Sequence, residues 1–318
     1  IIKKPILYLN FCFMDKLSAP IDLLEVRRLF ANPSDIEGSA FLRREIADRM
    51  REKLDLVRIE AKFVADLGCG LGEELPYLQQ RFGDAKVVGI DGSINLLKLG
   101  MQQQKSAGVG VAKFLQKILP VDWTGSSPYE IICSDFARLP LAANSVDVIW
   151  SNLALHWHPM PDLVLAEWRR ALKVGGLCMF SCFGPDTMME LRAAFAEVDQ
   201  DPHVLPFVDM HDFGDMSVHA GLATPVMDME KITIRYAKVE QLLSDVRAFG
   251  GNPLLNRKKG LFGKSAYAKL LSLLERNRAD DGRIPLTFEI IYGHAFKPQA
   301  TKLATGESII RFEKNKKI

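Results

Sequence analysis

The sequence predicts an α/β fold: an open, mostly parallel sheet with an antiparallel last strand, a helical N-terminal extension and a helical cap. Three observations carry that prediction. Between Lys62 and Asp199, short apolar runs alternate with amphipathic stretches, the pattern of parallel strands joined by right-handed helical crossovers. The first run ends in a glycine-rich turn, Gly68-Cys69-Gly70-Leu71-Gly72. Four consecutive runs end in polar, turn-competent residues, at the carboxyl ends of strands where such sheets bind ligands.

The opening IIKKPILYLNFCF has an apolar run too short to span a membrane and broken at Asn10, so residues 1–20 read as an extension upstream of the fold, with a start at Met14. From Ile21 to Leu56, apolar residues return at helical spacing around the turn Asn32-Pro33-Ser34-Asp35, giving two N-terminal helices within 21–60. The core, 61–236, runs KFVADLG, EELPYLQQRF, KVVGID, SINLLKLGMQQQ, EIICSD, VDVIWSN, MPDLVLAEWRRALK, LCMFSCF and DTMMELRAAFAEV, strand and helix in turn. The order breaks between Ser106 and Tyr129, which reads as an insertion at the sheet's edge. Later come a helix near Asp209 to Ala220 and a strand near Val226 to Tyr236. Helices near Val239 to Phe249 and Lys264 to Asn277 form a cap, 237–283, over the sheet's open end. The last core strand lies within 284–300, and 301–318 is a solvated tail.

Composition narrows the function. The chain has 318 residues, 48% hydrophobic and 25% charged, with 41 basic against 39 acidic side chains and a net charge of +2. That excludes a disordered or collagen-like chain and argues against a polyanionic partner. No later segment has the run of about 20 apolar residues that a membrane helix needs. The five cysteines, Cys12, Cys69, Cys133, Cys178 and Cys182, are odd in number and read as free thiols of a reducing cytoplasm; Cys178 and Cys182 lack a second pair to complete a zinc site.

The glycine turn is the strongest local signal. Gly68 and Gly70 permit dihedrals and close ligand approach that a side chain blocks, and Gly72 lets the next helix start close to the sheet. Dinucleotide enzymes use the same device, so the triplet alone leaves the ligand open. Asp91, ending the second strand before Gly92-Ser93, suits a ribose held by two hydroxyls, and equally a cap for the helix that follows. Asp135-Phe136 after the third strand offers an acceptor for an exocyclic amine beside an aromatic face. Ser151-Asn152 ends the fourth.

With these elements in place, the chain resembles the class I S-adenosylmethionine-dependent methyltransferases, which have a Rossmann-like sheet. The resemblance rests on DLGCGLG with Asp66, on Asp91, on SDFARLPL around Asp135 and on SVDVIWSNLALHW, within about Val64 to Phe183. It implies S-adenosyl-L-methionine as cofactor. It also implies a site built from Asp66, Gly68, Cys69, Gly70, Gly72, Asp91, Gly92, Ser93, Asp135, Phe136, Ser151 and Asn152, with the glycine loop around the methionine part, Asp91 on the ribose and Asp135 with Phe136 at the adenine. SNLALHW, FGPDTMMELRAAF, VRAFGGNP and DGRIPLTFEIIYGHAF further resemble the malonyl-acyl-carrier-protein O-methyltransferases of biotin synthesis. They resemble equally the mitochondrial complex I assembly proteins associated with arginine hydroxylation. Two departures stand out: the Ser106 to Tyr129 insertion, and leading helices without the tyrosine that often follows the early phenylalanine in the biotin enzymes.

The first resemblance implies esterification of a malonyl thioester on acyl carrier protein, by a cytoplasmic monomer without nucleic acid or membrane. An assembly factor acting on a protein, and a methyltransferase for another small molecule, remain the alternatives. The chemistry favours the ester. A malonyl carboxylate is ionised at pH 7, so attack on a sulfonium methyl needs positioning and desolvation but no general base, and the sequence offers no base constellation. His156-Trp157-His158 lacks the carboxylate partner of a metal or base site, so no metal is expected; His156 is a positioning candidate lining the pocket, and His158 is expected to face solvent. Arg192, with Arg43 or Arg44 as further candidates, could grip a carboxylate through its two-pronged guanidinium, the bland reading being a solvated helix charge. Arg257-Lys258-Lys259 is the candidate basic rim for an acidic carrier protein, or else an inconsequential loop. Amino-methylating nucleic-acid enzymes place Pro-Pro after strand four, where this chain has Ser151-Asn152-Leu153-Ala154.

Overall fold

The computed structural model describes residues 19–32, 37–103, 129–257, 260 and 262–299. Seven strands form one sheet in the order β3-β2-β1-β4-β5-β7-β6: β1 Phe63–Leu67, β2 Lys86–Asp91, β3 Tyr129–Cys133, β4 Val146–Ser151, β5 Leu172–Phe183, β6 Ala223–Tyr236 and β7 Ile284–Phe296. Strands β1 to β5 pair in parallel, and β7 runs antiparallel to both β5 and β6. The predicted α/β class with its antiparallel last strand is the observed one.

Burial on both faces explains the uninterrupted apolar runs of the central strands. Alternate residues of β1 serve opposite layers, Val64 one and Ala65 the other. The first layer holds the helices Ala40–Asp55, Leu75–Phe82, Met189–Val198, Val239–Ala248 and Lys264–Arg276, which send Ile46, Leu78, Leu191, Leu242 and Leu274 onto the sheet. The second holds Pro161–Ala171 and Met210–His219, through Trp168 and Phe213. Local signals set the helix starts. Asp22 accepts hydrogen bonds from the amides of Leu24 (2.9 Å) and Glu25 (3.4 Å) to cap Leu23–Leu29, Asp209 caps Met210–His219, and Pro161 opens its own helix where no amide donor is needed.

Several boundaries differ from the sequence reading. Strand β6 begins at Ala223 rather than near Val226, through an irregular pairing that includes Thr224 at a positive φ of 48°. Strand β5 reaches back to Leu172, with a register shift opposite Val146/Val148. The insertion falls almost wholly outside the described residues, and β3, where it ends, is the sheet's edge strand. Most of the 1–20 extension and the 301–318 tail also lie outside them. The extension's last two residues are not loose: Ala19 is buried beside Trp157 and Leu254, and the Pro20 carbonyl accepts from Leu255 N at 2.9 Å.

Gly293 of β7 pairs with Phe180 on one side and Met227 on the other, and a Cβ there would overlap the Phe180 ring. The G293A variant is therefore expected to lose ~1–3 kcal/mol of stability by overpacking, measured as a lower denaturant midpoint at unchanged slope.

Candidate functional site

Strand order reverses between β1, whose crossover leads outward to β2, and β4 on its other side. A cavity opens there, above the carboxyl ends of β1 to β4. Asp66, Gly68, Cys69 and Gly70 form its floor, Asp91, Gly92 and Ser93 one wall, Asp135 and Phe136 the far end, and Asn152 the near one. The sequence had singled out all ten. The remaining two do not line it. The Ser151 side chain turns under the sheet and donates to the Leu67 carbonyl at 2.7 Å, because strand alternation sends it away from the mouth. Gly72 closes the turn behind the cavity, its amide donating to the Cys69 carbonyl at 2.8 Å with φ at 75°.

The glycine turn is shaped by backbone contacts. Gly68 lies at φ 74°, with a Cβ position that would overlap the Ala154 methyl, so only glycine lets the loop after β4 close onto the loop after β1. Gly70, at φ 55°, has open space where its Cβ would project, and its amide donates to Asp91 Oδ2 at 2.9 Å. The other Asp91 oxygen accepts from Ser93 N at 2.7 Å, in the turn ahead of the following helix, residues 94–103; the cap of that helix is not Asp91 but Ser93, whose Oγ accepts from Leu96 N at 3.4 Å. Each oxygen retains acceptor capacity for a ligand hydroxyl. Burial raises the Asp91 carboxyl above the usual range, against the two amides that stabilise its charge.

Asp66 is more extreme. It is 1% exposed, and burial, with the charges of Glu74 and Asp91 adding to it, pushes its carboxyl far above the ordinary carboxylate range. Its Oδ2 has no hydrogen-bond partner among the described residues. A buried acceptor of this kind at a cavity floor fits a cationic donor, since an ammonium would both satisfy it and hold it ionised.

The leading helices roof the cavity. Leu23, Val26, Arg27 and Phe30 come from the first helix and its end, Arg43 and Arg44 from the second. Ser93 Oγ donates to the Phe30 carbonyl (2.8 Å), Asn95 Nδ2 to the Ala31 carbonyl (2.7 Å), and Asn152 Nδ2 to the Arg43 carbonyl (3.0 Å). Arg27 reaches Asp135 at 3.5 Å, and Phe30 meets Trp157 edge-on at 5.3 Å between centroids. The cap helices contribute no described residue to the lining; Val239–Ala248 packs beside the Glu37–Ser39 turn, and Lys264–Arg276 against Met189–Val198. The roof is thus the N-terminal segment, where the sequence reading had placed the cap.

Three further expectations are corrected. His158 does not face solvent: it is buried, lines the cavity and lies 5.9 Å from the Phe136 ring, its Nδ1 accepting from Met160 N. Burial lowers its pKa, against the raising effect of Asp135. His156 is absent from the lining and packs behind it between Trp157 and Phe183, at 4.8 Å from each ring. Arg192 is neither a cavity group nor a solvated charge, since its guanidinium donates to the carbonyls of Pro185, Thr187 and Leu205. Sequence reasoning passed over Arg27, Phe30, Glu73 and Trp157 as site residues; Glu73, at the end of the glycine-turn motif, and Trp157, inside SNLALHW, carried a signal.

The family model described as a methyltransferase domain matches residues 65–180, from β1 into β5. The YcgJ protein of Bacillus subtilis shares the fold, with a TM-score of 0.53 at 14% identity over 80% of this chain and 98% of that one. Fold and site together define a class I S-adenosylmethionine-dependent methyltransferase. The similarity extends much further in sequence. The malonyl-acyl-carrier-protein O-methyltransferase of Laribacter hongkongensis is 41% identical over 280 residues, 87% of this chain and 90% of that protein. Its counterpart in Gallionella capsiferriformans is 40% identical over 293 residues, 92% and 96% of the two chains. The chain belongs to the malonyl-acyl-carrier-protein O-methyltransferase family.

Burial alone lowers the His156 imidazole from its ordinary 6.5 to about 3. The unfolded chain therefore binds one more proton than the folded one between those values, and His156 makes stability fall as pH drops from 6.5 towards 3, by up to ~1.4 kcal/mol per unit, with no contribution above that window. The H156Q variant is expected to show a shallower loss in acid, measured by urea unfolding at several pH values.

Proposed function

We propose that this chain transfers a methyl group from S-adenosylmethionine to the free carboxylate of a malonyl thioester on acyl carrier protein, in biotin synthesis, acting as a cytoplasmic monomer. One observation carries the reading: about 40% identity to enzymes of that name over roughly nine-tenths of the chain. No helix among the described residues is long and apolar enough to cross a membrane.

When bound, S-adenosylmethionine supplies a methyl group made electrophilic by a sulfonium charge. The buried Asp66 Oδ2 is assigned to the amino-acid ammonium, and the open space at Gly70, flanked by Gly68 and Cys69, to the chain leading to sulfur. Asp91, held by the amides of Gly70 and Ser93, is assigned to the ribose hydroxyls, with Gly92 beside it. Asp135 and Phe136 take the adenine, and Asn152 fixes the near end. Gly72 acts through backbone shape, and Ser151 through its hydroxyl, which ties β4 to the Leu67 carbonyl of β1. The acceptor carboxylate is already ionised, so the protein's part is to align it and exclude water. A buried His156 with a depressed pKa, set behind the lining, fits a reaction that asks for no proton transfer.

The carrier-protein docking surface is reassigned in part. Arg257 is tied to Glu25 at 3.2 Å and to the Asn252 carbonyl, while Lys258 and Lys259 lie outside the described residues. Arg27 and Arg44 are also paired, with Asp135 and Glu73, but they line the cavity and remain 56% and 66% exposed against 36% for Arg257, and are the more direct rim charges for an acidic carrier.

The test is complementation of a biotin auxotroph lacking its malonyl methyltransferase: growth without biotin supports the acceptor, and failure of a soluble, cofactor-binding protein to restore it contradicts it. For the cofactor, D91A is expected to weaken S-adenosylhomocysteine binding by ~1.5–3 kcal/mol in calorimetry. Unchanged affinity in a folded variant would remove Asp91 from the site.

A further inference from the structure

The adenine end proposed above, at Asp135 and Phe136, holds more polar chemistry than those two residues supply, and the inference here rests on that placement. Two histidines of one short turn stand close to it. His156 Nδ1 accepts from Phe183 N at 3.4 Å, and its Nε2 is sealed behind the lining among the rings of Trp157, Phe183 and Phe207. His158 is buried as well, yet it lines the cavity, with its ring 5.9 Å from that of Phe136.

The backbone fixes which nitrogen of His158 carries the proton. Nδ1 accepts from Met160 N at 3.0 Å, and an atom that accepts an amide proton holds none of its own. Burial lowers the pKa of the ring, so at neutral pH the imidazole is uncharged and its one proton sits on Nε2. That donor has no acceptor among the described residues. A leucine or phenylalanine would fill the same place, whereas an unmatched donor beside an aromatic ring costs stability unless a ligand in the cavity accepts from it. Asp135 supplies the complementary group. Its Oδ1 accepts from Ala137 N at 2.9 Å, while Oδ2 meets the half-exposed Arg27 at 3.5 Å and keeps room for a further donor. This end of the cavity therefore offers an acceptor, a neutral donor and an aromatic face. Adenine shows the matching edge: its exocyclic amine donates, and the ring nitrogen on either side of it, N1 or N7, accepts.

We propose that His158 is an adenine-binding residue of this site, its Nε2–H donating to the ring nitrogen next to the amine that Asp135 receives. It binds and orients the base, and no proton or bond changes hands at it.

The experiment uses the full-length protein, as wild type and as the variants H158F and H158L, which have no donor at this place; each is checked for its melting temperature. Calorimetry gives Kd for S-adenosylhomocysteine and for its 1-deaza and 7-deaza analogues, in which C–H replaces one ring nitrogen. The wild type should bind one of the two analogues about fivefold or more weaker than the parent. The variants should bind the parent weaker by a similar factor and no longer distinguish it from that analogue. A wild type that binds all three ligands alike overturns the proposal. So does a penalty that persists undiminished in the variants, since another donor then meets that nitrogen. If neither variant folds, NMR of wild-type protein carrying isotope-labelled histidine decides. One imidazole N–H resonance that moves with S-adenosylhomocysteine and not with the weak analogue is expected, and the lack of any such resonance overturns the proposal. D135A separates His158 from the placement it rests on. Unchanged affinity for S-adenosylhomocysteine in D135A is a failure of the adenine placement and overturns the proposal with it. Weakened binding in D135A beside wild-type affinities in the His158 variants overturns the role of His158 alone.

Discussion

The reversal of strand order beside β1 is the constraint on which the rest depends. With β2 and β3 on one side of β1 and β4 and β5 on the other, the loops after β1 and β4 must part, and the crevice between them receives the polar residues that end each strand. The parting is narrow. Gly68 and Ala154 come so close that one added methyl would collide, so the two loops act as a single rigid edge. Asp91 then joins that edge to the second strand, taking one amide from the glycine turn and one from Ser93, just ahead of the next helix. A carboxylate already fixed by two backbone donors presents its remaining lone pairs in a set direction, which is what preorganisation of a ligand site requires.

Over this floor the protein lays a roof from its own N-terminal segment. The roof is held by polar side chains of the core donating to roof carbonyls, with Ser93, Asn95 and Asn152 as donors. Such bonds constrain the helix ends without burying a charge, so the segment can carry charged residues towards the cavity. The consequence is that residues of the leading helices, Arg43 and Arg44 among them, line the same cavity as the glycine turn. A change in the leading helices is therefore expected to alter acceptor choice and cofactor affinity together, whereas the two cap helices, packed on the first layer away from the lining, act on stability.

Much of this was legible in the sequence, for definite reasons. A parallel strand buried on both faces must be apolar throughout and must end in something polar, so DLGCGLG, Asp91, Asp135 and Asn152 announced themselves by position. What failed was whatever depends on direction after the chain leaves a strand. Ser151 was placed in the site because it ends β4, but strand alternation turns it inward. His158 looked solvent-facing before a proline, yet the turn at Leu155–Trp157 folds it back against Phe136. Arg192 shows the same limit from the other side: its sequence position on a helix gave no hint that three loop carbonyls converge on its guanidinium. Arg43 and Arg44 were indistinguishable as neighbours in sequence, and helical rotation alone buries one and exposes the other.

At the centre of this function, the cavity joins an S-adenosylmethionine methyl to a malonyl carboxylate on a carrier protein. Intact-protein mass spectrometry of malonyl carrier protein, incubated with the enzyme and S-adenosylmethionine, tests it most directly. The malonyl-loaded carrier should gain one methyl, lost on mild ester hydrolysis, and the acetyl-loaded carrier, which has no free carboxylate, should gain none. A malonyl carrier left unmodified by enzyme shown to bind S-adenosylhomocysteine would contradict it.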